Sequence, residues 1–274
     1  VEVFLFMECY IALTLVCPLL YPGPEKDEME LLRSLRASLA FYTLLPVGNG
    51  TLDFRAIARW LPLVGALLGG ILVLVHELSR QVFPETVAAG LTVIAWAGLT
   101  GGLHLDGWID VWDGLAIRNP ERRFEAMSES TTGAYGVIGA VLLLGMKGLC
   151  ISALSHPSGL FLAPVLGRWG QVMAIGLYPY AKAEGKGAFH RSSMGPKDYG
   201  VGVGLLLLVL LPSVFFWGWQ TIVLIAGGIG GAWILSWFFA KAFGGQTGDT
   251  YGAVVEGTEV LVLLLGTLTW FIRP

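Results

Sequence analysis

The sequence predicts an all-α fold, a polytopic transmembrane helical bundle of about seven spans. Its composition, 55% hydrophobic and only 14% charged with a mean hydropathy of +0.69, lies well on the apolar side of a soluble domain. Apolar runs near 61–79, 86–105, 134–155, 160–179, 199–219, 221–240 and 253–272 approach the ~20 residues that a helix needs to cross a hydrocarbon core. The segments joining these runs also alternate in charge. Arg55 and Arg59 precede the first, Arg118, Arg122 and Arg123 follow the second, Lys182, Lys186, Arg191 and Lys197 follow the fourth, and Lys241 follows the sixth. The intervening loops at 156–159 and 217–220 carry no Lys or Arg, and 80–85 carries only Arg80. The basic loops therefore belong on the cytoplasmic side of an inner, cytoplasmic membrane.

Ahead of the first span, residues 1–22 are apolar but hold Glu2 and Glu8 and lack a basic leader, so no cleaved signal peptide is expected. Pro22, Gly23, Pro24 and the acidic stretch from Glu25 to Glu30 read as a linker, which makes 1–30 an N-terminal extension and 31–274 one membrane-embedded domain. Leu31 to Leu45 is amphipathic, with Arg33 and Arg36 at the surface. Cys9, Cys17 and Cys150 sit in apolar runs and are expected as free thiols. Small-residue helix packing accounts for Gly65, Gly69 and Gly70 and for Gly227, Gly228, Gly230 and Gly231. The net charge of -3 says little about partners, and the absence of a basic block interleaved with aromatics argues against nucleic acid. The bilayer is the expected surrounding, and a homo-oligomer stays open.

Chemistry concentrates where the second run ends, in Gly101-Gly102-Leu103-His104-Leu105-Asp106-Gly107-Trp108-Ile109-Asp110-Val111-Trp112-Asp113-Gly114. On a continuing helix Asp106, Asp110 and Asp113 share one face, and three converging carboxylates call for a hard cation, best Mg2+, with positions left for phosphate oxygens. A merely solvated acidic face is the competing reading. His104 falls roughly opposite, where capping or packing competes with a catalytic role. A second constellation runs from Gly244 to Ala253, where Asp249 shares a helix face with Glu256 and Glu259 lies on the flank. Its glycines, with Thr247 and Gly248, could bring backbone N–H groups close to a phosphate. Lys147 and Arg168 fall inside spans, where pairing for packing competes with function. The loop cations Arg122, Arg123, Lys182 and Arg191 are as a class more often solvated than ligand-binding, although phosphate favours such residues.

The Gly-Gly-x-His-x-Asp-Gly-x-x-Asp-x-x-Asp-Gly run resembles the signature of the cobalamin synthase family, CobS, the adenosylcobinamide-GDP ribazoletransferases. Further segments resemble it too: Phe41-Tyr42-Thr43 with Leu45-Pro46, Arg59 to Gly65, Met127 to Ser130 with Gly133-Ala134-Tyr135-Gly136, Gly167-Arg168-Trp169, Tyr178 to Ala181, and Thr247-Gly248-Asp249 with Gly252-Ala253. The resemblance covers about residues 31 to 272. It implies a multispanning, Mg2+-dependent enzyme joining alpha-ribazole, or its 5′-phosphate, to adenosylcobinamide-GDP, with GMP released. On that reading the metal set is Asp106, Asp110, Asp113, Asp249 and Glu256, and Asp106, Asp113 and His104 are the catalytic candidates. Substrate contacts are expected from Arg118, Arg122, Arg123, Gly133, Arg168, Lys182, Thr247 and Gly248.

Two rivals fit less well. A CDP-alcohol phosphatidyltransferase shares Asp110, Asp113, Gly114 and Arg118 with its pattern, but Ile117, Val137 and Val141 stand where that pattern needs Ala and two further Asp. An ion-coupled transporter could use Lys147, Arg168, Glu256 and Glu259, yet the acids cluster toward one side and no paired broken helices are evident.

Overall fold

In hydrocarbon every backbone N–H and C=O must be satisfied, and a helix does so within its own segment. The apolar runs accordingly fold as helices. The structure, a computed structural model, describes residues 30–129, 131–182, 185 and 187–268. Most of the expected extension, Cys9, Cys17, Lys186, Ser130 and the end of the last predicted run lie outside the described residues. We number the helices α1 (Glu30–Tyr42), α2 (Leu61–Ser79), α3 (Glu85–Thr100), α4 (Leu103–Ala116), α5 (Arg123–Ala126), α6 (Ala134–Ala153), α7 (Ser158–Leu177), α8 (Ala188–Ser193), α9 (Pro196–Trp217), α10 (Gln220–Phe243) and α11 (Gly248–Thr267).

Among the described residues six helices are long and apolar enough to span: α2 with the 3-10 turn Ile57–Trp60 before it, α6, α7, α9, α10 and α11. The second predicted run, 86–105, corrects the sequence reading. It does not continue as one helix through 105, because α3 ends at Thr100 and α4 leaves it at 95°. Gly101 (φ 59°) and Gly102 (φ 68°) both adopt the left-handed conformation at the break, and their N–H groups close the α3 terminus on Gly98 O and Ala97 O. The acidic residues therefore sit on a helix of their own. Counting the bent pair as one span brings the total to seven.

A second boundary moves as well. The last helix begins at Gly248, not near 253, because Thr247 caps it: Thr250 N–H donates to Thr247 Oγ1 at 3.2 Å, and Thr247 N–H donates to Thr250 Oγ1 at 2.7 Å. Asp249 thereby enters the first turn of α11.

α7 and α11 occupy the centre, packed against each other and flanked by α2 and α10, while α9 is peripheral. Close approach of α2 to α7 depends on Gly65, where a Cβ would lie 2.6 Å from Pro164 O, and on Gly69 against Phe161. Gly228 packs likewise on Leu166 and Val262, but Gly70 and Gly230 face open space, so packing does not explain those two. Cys150 is a buried free thiol, as expected. Short turns at 80–84, 154–157 and 218–219 join the helices at one end of the bundle. The opposite end gathers Arg59, α4, the 117–133 segment, α8 and the Gly244–Thr247 turn, as the Arg59–Asp198 ion pair (3.0 Å) and the packing of Gly114 on Phe243 illustrate.

α4 lies across that end through glycine contacts. A Cβ on Gly107 would stand 2.6 Å from Asp249 O and 2.9 Å from Asp249 Cα, and one on Gly252 would stand 2.9 Å from His104 O. Gly107→Ala should therefore lower stability by about 1–3 kcal/mol, the usual cost of overpacking. Gly70→Ala should change little, since nothing lies within 4 Å of its added methyl. Thermal unfolding of the detergent-purified variants checks both, and a Gly107→Ala protein as stable as its parent would contradict the contact.

Candidate active site

Helical spacing puts Asp106, Asp110 and Asp113 on one side of α4, and the α4–α11 contact brings Asp249 to them. Burial pushes the Asp110 carboxyl up to about 7, and the neighbouring charges of Asp106, Asp249 and Asp113 push in the same direction. Lys182 opposes them. Its Nζ lies 5.2 Å from the centroid of Phe124, and its positive charge reaches Asp110. Its charge lowers the Asp110 pKa against the push of the other carboxylates.

Asp113 has a second attachment. Its Oδ2 accepts the N–H of Gly133 and its Oδ1 that of Gly136, both at 2.8 Å, so α4 caps the N-terminus of α6. A Cβ at Gly136 would stand 2.5 Å from Asp113 Oδ2, and one at Gly133 would collide with the same carboxylate. Gly133, expected at the substrate, is accounted for by this contact.

The α11 N-terminus is enclosed by a segment that the sequence reading gave no role. Gln246 N–H donates to Pro179 O and Ala181 N–H to Gln246 O, each at 2.8 Å, which pins residues 179–181 beside the Gly244–Thr247 turn. Tyr180 is thereby set next to Asp249. Its hydroxyl accepts Gly187 N–H at 3.2 Å, and burial followed by the Asp249 charge pushes the phenol above its ordinary value. The Tyr178-Pro179-Tyr180-Ala181 motif was visible in the sequence, but only the pairing with Gln246 locates it. Thr247 is buried as a helix cap, and Gly248 meets Gly187.

Several expected residues lie elsewhere. Glu256 is not brought to the α4 carboxylates: its Oε2 accepts from Lys147 Nζ at 2.6 Å, and Lys147 also donates to Glu259 Oε2 at 2.5 Å. Arg168, 1% exposed, pairs with the other oxygen of Glu259. The charges that could have lined a transport path thus neutralise one another inside the bundle. His104 turns away from the carboxylates and packs on Tyr42, with ring centroids 6.1 Å apart and planes at 26°. Burial, reinforced by the positive charges of Arg168 and Lys147, holds its pKa well below the ordinary value. Arg123 caps α10 by donating to Ala242 O at 2.6 Å, and Arg191 caps α7 through Ile175 O and Gly176 O at 2.7 and 2.8 Å. Arg122 is exposed and pairs with Glu125 at 3.2 Å, and Arg118 is exposed.

Comparison with known proteins agrees over nearly the whole described chain. The family model for CobS, cobalamin-5-phosphate synthase, matches residues 34–267. A protein of Synechococcus elongatus named adenosylcobinamide-GDP ribazoletransferase is 42% identical over 245 residues, covering 87% of this chain and 98% of its own. Proteins of the same name from Synechocystis and Brevibacillus brevis are 38% and 36% identical, covering 84% and 86% of this chain and 93% and 98% of theirs. No solved structure matches the chain.

The Asp110 environment has a pH signature. With its folded-state pKa near 7 and the ordinary carboxylate value of about 3.9 when unfolded, the folded protein binds the extra proton. In chelator-treated protein this site therefore costs stability as pH rises between those values, and the cost is complete above them. Asp110→Asn should raise the Tm of such protein at about pH 8, with the gain shrinking toward about pH 5. Melting curves at both pH values check this; an equal gain at both would contradict the buried, mutually repelling cluster.

Proposed function

The chain belongs to the cobalamin-5-phosphate synthase family, and on that premise we propose that the carboxylate-lined end of its bundle joins adenosylcobinamide-GDP to alpha-ribazole or its 5′-phosphate. A ribose hydroxyl of the ribazole attacks the phosphorus linked to cobinamide, a new P–O bond forms, the pyrophosphate bond breaks, and GMP leaves. The observation that carries this reading is the meeting of α4 with the first turn of α11, which sets Asp249 beside the acidic face of α4. Apolar helices make this an integral membrane protein. The basic connections at the carboxylate end place that end, in this reading, on the cytoplasmic side of the cytoplasmic membrane.

Mg2+ suits the donors present. They are hard carboxylate oxygens whose repulsion already shows at Asp110. Among the described residues no group of three His, Cys, Asp or Glu side chains is set around one point as a complete metal cage. That fits an ion that is commonly held by one or two carboxylates and completed by water and substrate phosphate. We assign the ion to the carboxylates of Asp106, Asp110 and Asp249, no more than two of them at once, and leave Glu256 out, because Lys147 engages it. When bound, the ion neutralises charge developing on the phosphates.

The chain's own groups do the rest. Lys182 offers its ammonium beside Asp110, where it can meet a phosphate oxygen. Asp113 holds α4 to α6 with both oxygens, so the proton of the attacking hydroxyl is assigned to Asp106 instead. The tilt of α4 across the bundle end keeps the reacting phosphates near the surface, where two polar substrates arrive.

GMP release from adenosylcobinamide-GDP by detergent-purified protein, with alpha-ribazole present, should require added Mg2+ and stop with EDTA. Asp106→Asn, Asp110→Asn and Asp249→Asn should each lower turnover by about a hundredfold or more, comparable to removing a charge-stabilising group from a transition state, while folding normally. Asp113→Asn should in addition lower Tm, since it disturbs the α6 cap. Metal-independent release by the parent protein, or near-normal turnover in all three Asn variants, would refute the assignment.

A further inference from the structure

We propose that Lys147 is a positioning residue for the carboxylate site, acting through the spacing of α6 and α11; this rests on the reading of that site given above. α4 is held from two sides. Asp113 fastens it to the α6 N-terminus, and Gly107 and Gly252 seat it on the first turns of α11. Any change in the separation of α6 and α11 must therefore move Asp249 relative to the acidic face of α4.

Lys147 sets that separation. It lies on α6 about 20 Å along the axis from the end that Asp113 caps, and its Nζ reaches across to Glu256 and Glu259 on α11 at 2.6 and 2.5 Å. The two glutamates lie three positions apart on one helix, and Arg168 engages only Glu259. Among the described residues Lys147 is thus the cation paired with Glu256. The same ammonium sits 4.1 Å from the centroid of Trp96, on the helix that leads through Gly101 and Gly102 into α4. One buried side chain of α6 consequently touches both α11 and α3 beside the root of α4.

The space around it gives little freedom. Val93, Trp96, Thr100, Leu105, Lys147 and Glu256 line a cavity of ≈ 10 Å³, room for about one water. Little water can take the ammonium's place there, so without Lys147 the Glu256 carboxylate must take up a proton or move to another partner, and either one removes the charged link between α6 and α11. This gives the network a role beyond stability. A lysine that served packing alone could be exchanged, with its glutamate, for neutral residues without any change in the site above.

The test uses Glu256→Gln, which keeps Lys147 paired with Glu259, and the double variant Lys147→Met/Glu256→Gln, which leaves no orphaned charge at Glu256. Spin labels at Glu121→Cys, just beyond α4, and Leu264→Cys, on the exposed face of α11, report the distance across the assembly in a background without the native cysteines. The double variant should shift or broaden this distance by about 1–2 Å or more, the scale of helix displacements at packed interfaces. It should lower kcat for GMP release about tenfold or more, as misplacement of reacting groups does, and raise the Mg2+ concentration for half-maximal rate. Glu256→Gln should fall between it and the parent in distance and kcat. Parental distance and kcat in the folded double variant, or parental behaviour in Glu256→Gln should the double variant not fold, would overturn the proposal. So would a changed distance with parental kcat, or lost kcat with an unchanged distance. A predicted distance shift in a protein that never releases GMP would instead sink the proposed function and leave the helix-spacing claim standing.

Discussion

The close approach of two backbones, α4 at Gly107 and α11 at Asp249 and Gly252, is the constraint on which the site depends. Without a Cβ at Gly107 the helices meet near 2.6 Å from the would-be methyl to Asp249 O, closer than any other residue permits. That contact converts two acidic motifs more than a hundred residues apart in sequence into one cluster. The consequence is electrostatic: Asp110 is pushed up to about 7 by burial and by its neighbours' charges, a shift of the kind that clusters at functional sites.

The rest of the bundle restrains this strained end. Asp113 hands its charge to the N-terminus of α6, where orphan N–H groups and the helix dipole favour it. Arg123 and Arg191 close the C-termini of α10 and α7 at the same end. Deeper in the bundle, Lys147, Glu256, Glu259 and Arg168 form a set with no net formal charge, which makes four ionised groups tolerable in so apolar a chain. Each of these cations was a plausible phosphate ligand by type. In the structure each of them already holds a protein partner.

The sequence made the helical class, most span positions, the acidic face of α4 and the family legible, because periodicity and motif spacing are local properties. The break at Gly101-Gly102 was readable as two adjacent glycines, yet the apolar run continued to Leu105 and hid the 95° turn. Glu256 misled because it shares a helix face with Asp249, and a face says nothing about the partner across it. His104 likewise stands inside the most informative motif but packs on Tyr42, a residue 62 positions earlier whose location only tertiary structure gives. Tyr180 was missed for the same reason: its place beside Asp249 comes from the pairing of 179–181 with Gln246.

The central claim is that the α4 and α11 carboxylates serve one centre. A double-mutant cycle on Asp110→Asn and Asp249→Asn, read as GMP release by folded protein at fixed Mg2+, tests it most directly. Groups acting as a unit give strongly non-additive losses, so the account predicts that the second substitution costs little once the first is made. Losses that multiply in full would mean that the two acids act independently, and would contradict it.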